Sequence, residues 1–159
     1  TQANTVAERF AQKLGGYYRF LHLPDGLSDA AADELARLPQ VREPLELVRH
    51  ADVFLYGVGR AMELAQRRGL SASERDRLAQ EGAVAEALGF YINAQGRVVG
   101  GGSSLAIRPE DIGRKNRAAA VAAGRAKAEA ILAVCAHHPH KLLVADEGAA
   151  LRMMELLRA

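Results

Sequence analysis

Behind Thr5, apolar residues at Val6, Phe10 and Leu14 recur every four positions. That spacing predicts one face of an α-helix with Thr5 as its cap. Gly15 and Gly16 end it, because glycine readily takes the left-handed cap conformation. Residues 17–23 are aromatic and β-prone, and they read as a strand closed by a turn at Pro24-Asp25-Gly26. Ser28 then caps an Ala-rich helix running to about residue 38, with Asp29 near its positive end. A break at Pro39 precedes a further short helix over residues 41–50.

The clearest strand-then-glycine pattern is Asp52-Val53-Phe54-Leu55-Tyr56-Gly57-Val58-Gly59. Residues 53–56 are apolar throughout, as expected of a parallel strand covered on both faces. Helices are predicted over residues 61–68 and from Ser71 or Ser73, with Glu74 and Asp76 in the first turn of the second. Residues 88–92 and 97–99 read as a hairpin around Asn93-Ala94-Gln95-Gly96. Gly100-Gly101-Gly102-Ser103-Ser104 has the composition of an exposed, flexible loop. The last third alternates: a small-residue strand over 118–122, a turn at Gly124, a helix over 126–137, a strand over 142–145, a turn at Asp146 and a helix over 149–157. Strand–helix–strand–helix at this spacing implies right-handed crossovers and a parallel sheet. The expected fold is a three-layer, Rossmann-like α/β domain with a mostly parallel sheet. A helix at the start, where such sheets open with a strand and phosphate loop, suggests that this first strand and loop are missing.

Composition adds boundaries. The chain has 159 residues, 49% apolar and 25% charged, which is one folded domain's worth. Its single cysteine, Cys135, excludes an intrachain disulfide and suits a reducing cytosol, so a cytoplasmic location is expected. The longest apolar run, residues 130–136, is far shorter than a membrane helix. With 21 basic and 19 acidic residues, no Trp and 5% aromatics, the chain lacks the charge and stacking groups of a free-standing nucleic-acid binder.

Candidate chemistry lies at strand ends, where open α/β sheets bind ligands. Gly57-Val58-Gly59-Arg60 follows the buried strand; it is either a ligand loop or a tight turn that needs glycine torsions. Gly124-Arg125-Ala126-Lys127 opens a helix. A lysine at the positive end of a helix opposes the dipole, which points to an anion held there. Arg67 and Arg68 suit the negative end of their helix, and one could still reach a phosphate. Glu86, polar among small apolar neighbours, could accept bonds from sugar hydroxyls or simply face solvent. In His137-His138-Pro139-His140 the proline disrupts the helical geometry that would converge the rings on a metal. Asp146 and Glu147 point apart as chain neighbours, so capping the last helix is the first expectation for them. No Ser–His–Asp set or zinc spacing is present, and neither a cofactor nor a metal is expected.

Several segments, in order, resemble the effector-binding domain of the SorC family of bacterial transcriptional regulators, nearest to its glycolytic-gene branch. They are Gln2-Ala3-Asn4-Thr5, Gly57-Val58-Gly59, Ala65-Gln66-Arg67-Arg68, Glu86-Ala87-Leu88-Gly89-Phe90-Tyr91 with Gly96-Arg97-Val98-Val99, Lys127-Ala128-Glu129-Ala130-Ile131, and Asp146-Glu147-Gly148-Ala149-Ala150. The resemblance implies a Rossmann-like sensor domain over residues 1–159, related to sugar-phosphate isomerases and deaminases and lying downstream of a winged-helix DNA-binding domain that this chain lacks. It implies a phosphorylated sugar as effector, fructose 1,6-bisphosphate in the glycolytic branch. It also implies control of operator DNA through that other domain, a homodimer or homotetramer, and no membrane partner and no catalysis. Carried over, Gln2, Arg67 and Lys127 would hold phosphates and Glu86 would meet sugar hydroxyls, with backbone N–H groups near Gly57, Gly59 and Gly124 assisting. The chain departs from the family at Arg125-Ala126, where a glycine-serine pair is common, and at Ala145 in place of a commoner threonine. The enzyme alternative on the same fold, a sugar-phosphate isomerase or deaminase, would need Glu86, Asp146 or Glu147 as general base.

Overall fold

A computed structural model describes residues 3–21, 23, 27–102, 105, 107, 109–112, 117–137 and 142–158. The chain divides into two compact units, Thr1–His50 and Ala51–Ala159. The first unit holds helices α1 (Ala3–Leu14), α2 (Asp29–Arg37) and α3 (Pro39–His50). Gly15, at φ +67°, takes the left-handed conformation expected of it. The Ser28 side chain accepts the Ala31 N–H and so caps α2. Pro39 forms the first residue of α3, where its missing N–H costs no helical bond. The strand expected over residues 17–23 is not formed: residues 17–21 have no regular structure, and Tyr17 is almost wholly exposed. β-propensity needs a partner strand to act on, and among the described residues nothing pairs with this run. The expected turn at residues 24–26 lies outside the described residues.

The second unit runs β1 (Val53–Gly57), β2 (Gly59–Arg60), α4 (Ala61–Arg67), α5 (Ala72–Gln80), β3 (Ala83–Ala87), β4 (Phe90–Asn93), β5 (Val98–Gly101) and α6 (Pro109–Ile112). It continues with β6 (Arg117–Ala122), a 3-10 turn (Arg125–Lys127), α7 (Ala128–His137), β7 (Leu142–Ala145) and α8 (Glu147–Arg158). Strands β1, β6 and β7 form a parallel sheet in that order, as the strand–helix alternation predicts. Strands β2 to β5 form a separate antiparallel sheet. The fold is α/β, with the parallel sheet of the sequence reading and an antiparallel meander that the reading recovers only in part.

The meander differs from expectation at β3 and at its turn. Leu88 and Gly89 both have positive φ, 57° and 87°, and join β3 to β4 in a tight hairpin. Such a turn normally carries Asn-Gly, and Leu in its first position hides the signal. The second hairpin, around residues 93–96, forms as predicted: the Asn93 carboxamide oxygen accepts the N–H groups of Gln95 and Arg97. The glycine run is no free loop. Gly100 and Gly101 belong to β5, and a side chain on Gly101 or Gly102 would collide with the Gly89 carbonyl or the Phe90 ring.

Two apolar clusters explain where the layers meet. The larger joins Tyr56, Ala118, Ala120 and Ala122 of the parallel sheet with Ile131 and Val134 of α7 and with Ala85, Ala87 and Ile92 of the meander. Alanines fill every inward position of β6, α7 lies closest to the alanine-rich β3, and Ile131 and Ile92 are wholly buried. The smaller cluster places Ala61 and Ala65 of α4 and Leu78 of α5 against Ala83 and Tyr91 on the meander's opposite face. Among the described residues of the second unit, the parallel sheet packs on one face. Phe54 and Tyr56 turn to the core, whereas Val53 and Leu55, like Val121, Leu142 and Val144, lie on the other face.

Candidate functional site

The loop Gly57-Val58-Gly59 links the end of β1 to β2, and so carries the chain from one sheet to the other. Val58 is buried, and its N–H donates to the Val121 carbonyl at 3.3 Å. Across the meander, Gly59 lies directly opposite Glu86 on β3. Glycine torsions do not explain Gly59, whose φ is not positive. Room does: a Cβ there would stand 2.2 Å from the Leu64 Cδ1 and 3.9 Å from the Glu86 Oε2. Gly57 is exposed, and a Cβ would meet nothing closer than the Val121 carbonyl at 4.0 Å.

Lys127 closes the other side of this loop. Its backbone ends the 3-10 turn before α7, with its N–H on the Gly124 carbonyl at 2.9 Å. Its ammonium donates to the Val58 carbonyl at 3.1 Å, across 69 positions of sequence. An ammonium has three N–H donors, and among the described residues only that one bond is made. The lysine placed against the helix dipole thus has a specific orientation, anchored on the loop after β1.

Glu86 is 6% exposed, on the same meander face as its register partner Tyr91. A buried carboxylate needs charged and hydrogen-bonding partners. Its Oε1 receives both: the Arg68 Nη2 at 2.9 Å and the Gly89 N–H at 2.6 Å. The sequence reading left open whether Glu86 faces solvent; it does not. Arg68, in turn, caps α4, with its N–H on the Leu64 carbonyl and Gly69 at φ +72° ending the helix. Nothing in the chain marks Arg68 apart from Arg67, because the pairing depends on β3, which the sequence does not reveal.

Other expected residues fall differently. Arg67, the last residue of α4, is exposed and makes no hydrogen bond or ion pair among the described residues. Gln2 lies outside the described residues. Gly124 takes φ +105°, but its N–H is not a free ligand donor: it donates to both Asp146 carboxylate oxygens at 3.0 Å. Asp146 also accepts the Ala149 N–H at 2.9 Å and so caps α8, as its position suggested. The Gly124 N–H foremost, then that of Ala149, holds the Asp146 carboxyl below the usual aspartate range.

Arg60 and Arg125, which could have added charge to the loop region, are engaged elsewhere. Arg60 pairs with Glu63, and Arg125 pairs with Glu155 at 2.7 Å. The Arg152 and Arg125 guanidinium groups keep the Glu155 carboxyl low. The His137 Nδ1 meets the Gly96 carbonyl, while residues 138–140 lie outside the described ones. Among the described residues, no cluster of His, Cys, Asp and Glu could hold a metal. Burial pushes the Cys135 thiol up, as for a packing group. None of the described helices is long and apolar enough to cross a membrane.

One family model, described as "Putative sugar-binding domain", matches residues 1–155. The chain is 37% identical over 149 residues to the central glycolytic genes regulator of Priestia megaterium, covering 94% of this chain and 44% of that one. It is 37% identical over 153 residues to the regulator of the same name from Bacillus subtilis, covering 96% and 45%. It thus spans less than half the length of either relative. Among solved structures, a SorC family transcriptional regulator from Enterococcus faecalis superposes with a TM-score of 0.86 at 34% identity, over 96% of this chain and 62% of that one. The chain belongs to the sugar-binding domain family of SorC-type transcriptional regulators.

Proposed function

We propose that this chain is the effector-sensing part of a transcriptional repressor of the glycolytic regulator type, and that its ligand is a phosphorylated sugar, with fructose 1,6-bisphosphate the first choice. One observation carries the reading. The Lys127 ammonium and the Glu86 carboxylate flank the same Gly57-Val58-Gly59 loop, one bonded to the Val58 carbonyl and the other opposite Gly59. Among the described residues, the cation has donors and the ordered carboxylate an oxygen without a partner, which suits a ligand that carries both phosphate and hydroxyl groups. Lys127 would hold a phosphate, and Arg67 would hold the same or a second one. Glu86 would accept hydroxyl protons through Oε2. Gly57 leaves the loop backbone open to a ligand, Gly59 makes room for Leu64 beside Glu86, and Gly124 serves by shaping the turn before Lys127.

In a complete protein, a DNA-binding domain would read the operator, and effector binding would shift a pre-existing equilibrium between conformations or oligomers. Such a protein would work in the cytoplasm, as a homodimer or homotetramer. A sensor is favoured over an isomerase or deaminase because the curated relatives are named as regulators. Of the candidate bases, Asp146 is tied to two backbone N–H groups.

Calorimetry with fructose 1,6-bisphosphate tests the reading. Lys127→Ala should weaken binding about 10- to 150-fold, as for loss of one charge-assisted bond, with an unchanged circular dichroism spectrum. Equal affinity in wild type and variant, or turnover of a sugar phosphate by the wild type, would overturn it.

A further inference from the structure

Of the two arginines at the end of α4, Arg68 is the one whose guanidinium reaches a buried carboxylate. Its side chain is 33% exposed, and that of Glu86 only 7%. It spans from the C-terminal end of α4 to the hairpin between β3 and β4. Nη2 meets the Glu86 Oε1, and a Cβ on Gly89 would lie 3.5 Å from Nη1. From the other side, the Gly89 N–H reaches the same Oε1. Both bonds therefore fall on one oxygen. Among the described residues no donor reaches Oε2, the oxygen nearer to Gly59, where a Cβ would stand 3.9 Å away.

A carboxylate has two oxygens and about four lone-pair directions. Saturating one oxygen fixes the rotation of the group and leaves the other as the acceptor with a defined aim. From this asymmetry we infer that Arg68 is a positioning residue that sets hydroxyl specificity. It locks Glu86 by Oε1 so that Oε2 is presented to a hydroxyl-bearing ligand at the Gly57-Val58-Gly59 loop, without itself touching a phosphate. The inference rests on the site proposed above. It also links two parts of that site, because Arg67 is the next residue back along the chain: a displaced α4 end moves Arg67 and releases the grip on Glu86 together.

Two probes separate positioning from charge. Fructose 1,6-bisphosphate carries phosphates and hydroxyls; hexane-1,6-diol bisphosphate carries two phosphates at the same chain separation and no hydroxyl. Both are titrated calorimetrically into the complete protein carrying this chain. Arg68→Met should weaken the sugar bisphosphate about tenfold, as for the loss of one oriented hydrogen bond to a charged group, and leave the diol bisphosphate within about twofold. Arg68→Lys, which keeps a donor for Oε1, should recover most of the preference. In a Glu86→Gln background, Arg68→Met should no longer change the ratio of the two affinities. Should Arg68→Met fail to fold, the ratio in Arg68→Lys and in Arg68→Gln decides.

Equal weakening of both probes by Arg68→Met would mean that Arg68 holds phosphate itself, and would overturn the inference. So would an unchanged ratio while Lys127→Ala weakens both probes, and that result would leave the proposed site standing. A wild-type protein that binds neither probe would remove the site and the inference together.

Discussion

The parallel strands β1 and β6 are neighbours, and each ends in a glycine loop, yet the two loops are built on different physics. After β1, Val58 is buried, its N–H is bonded to β6, its carbonyl takes the Lys127 ammonium, and Gly59 is there because Leu64 fills the space a side chain would need. After β6, Gly124 has nothing within 4 Å of a Cβ, but its φ of +105° suits only glycine, and its N–H is clamped by Asp146. One loop is set by packing, the other by torsion and charge. A sequence motif cannot tell these apart, although only the packed one should be rescued by truncating a neighbour. The packed loop is the one that both Lys127 and Glu86 address.

Substitutions can break the contrast. Gly59→Val should have the largest effect, about 3 kcal/mol of destabilisation from overpacking against Leu64. Leu64→Ala in the same chain should recover part of that loss, as measured by urea unfolding. Recovery would show that space, not torsion, is what Gly59 provides. Gly124→Ala should cost less, about 1–2 kcal/mol for a β-carbon at positive φ. No second-site truncation should rescue it, because nothing crowds the position; a rescue by any neighbouring truncation would contradict the torsional account.

The smallest effect should come from Asp146→Asn, present near neutral pH and vanishing in acid. Asparagine still caps a helix, so the change removes mainly the charge on the Gly124 and Ala149 N–H bonds. Because the folded-state value of Asp146 is depressed, its stabilisation is present above the ordinary aspartate range and is lost as pH falls through the folded value. The wild type should therefore lose stability on acidification with a steeper slope than Asp146→Asn, and the two should converge at the lowest pH. Parallel unfolding midpoints across that range would show that the Asp146 clamp carries no linked stability.

Legibility in the sequence followed the range of the interaction. Caps were readable because they act within one turn: Ser28 on Ala31, Asp146 on Ala149, and Ser71 with Glu74, where a reciprocal capping box forms and the Ser71 hydroxyl foremost lowers the Glu74 carboxyl. The parallel strands were readable from apolar runs separated by helices. Strand β3 was not, because Ala83–Ala87 carries small residues and a buried glutamate instead of an alternating pattern, and Leu88 occupies a turn position that usually advertises itself. That Lys127 has a specific role was suggested by its conflict with the helix dipole, but its anchor on Val58 was not.

The chain alone determined most of its helix ends, its parallel strands, its family and the residues Arg67, Glu86 and Lys127 as candidates, since these follow from local spacing and short-range bonding. Thr5, read as a cap, instead lies inside α1, which begins at Ala3. Only the tertiary structure decided that Arg68 takes the Glu86 carboxylate, that Asp146 occupies the Gly124 N–H, and that the Lys127 ammonium anchors on the Val58 carbonyl. Each of these depends on which distant backbone arrives beside a given group. A buried charge or an orphan N–H takes the partner that the packing brings within 3 Å, and no periodicity along the chain encodes that distance.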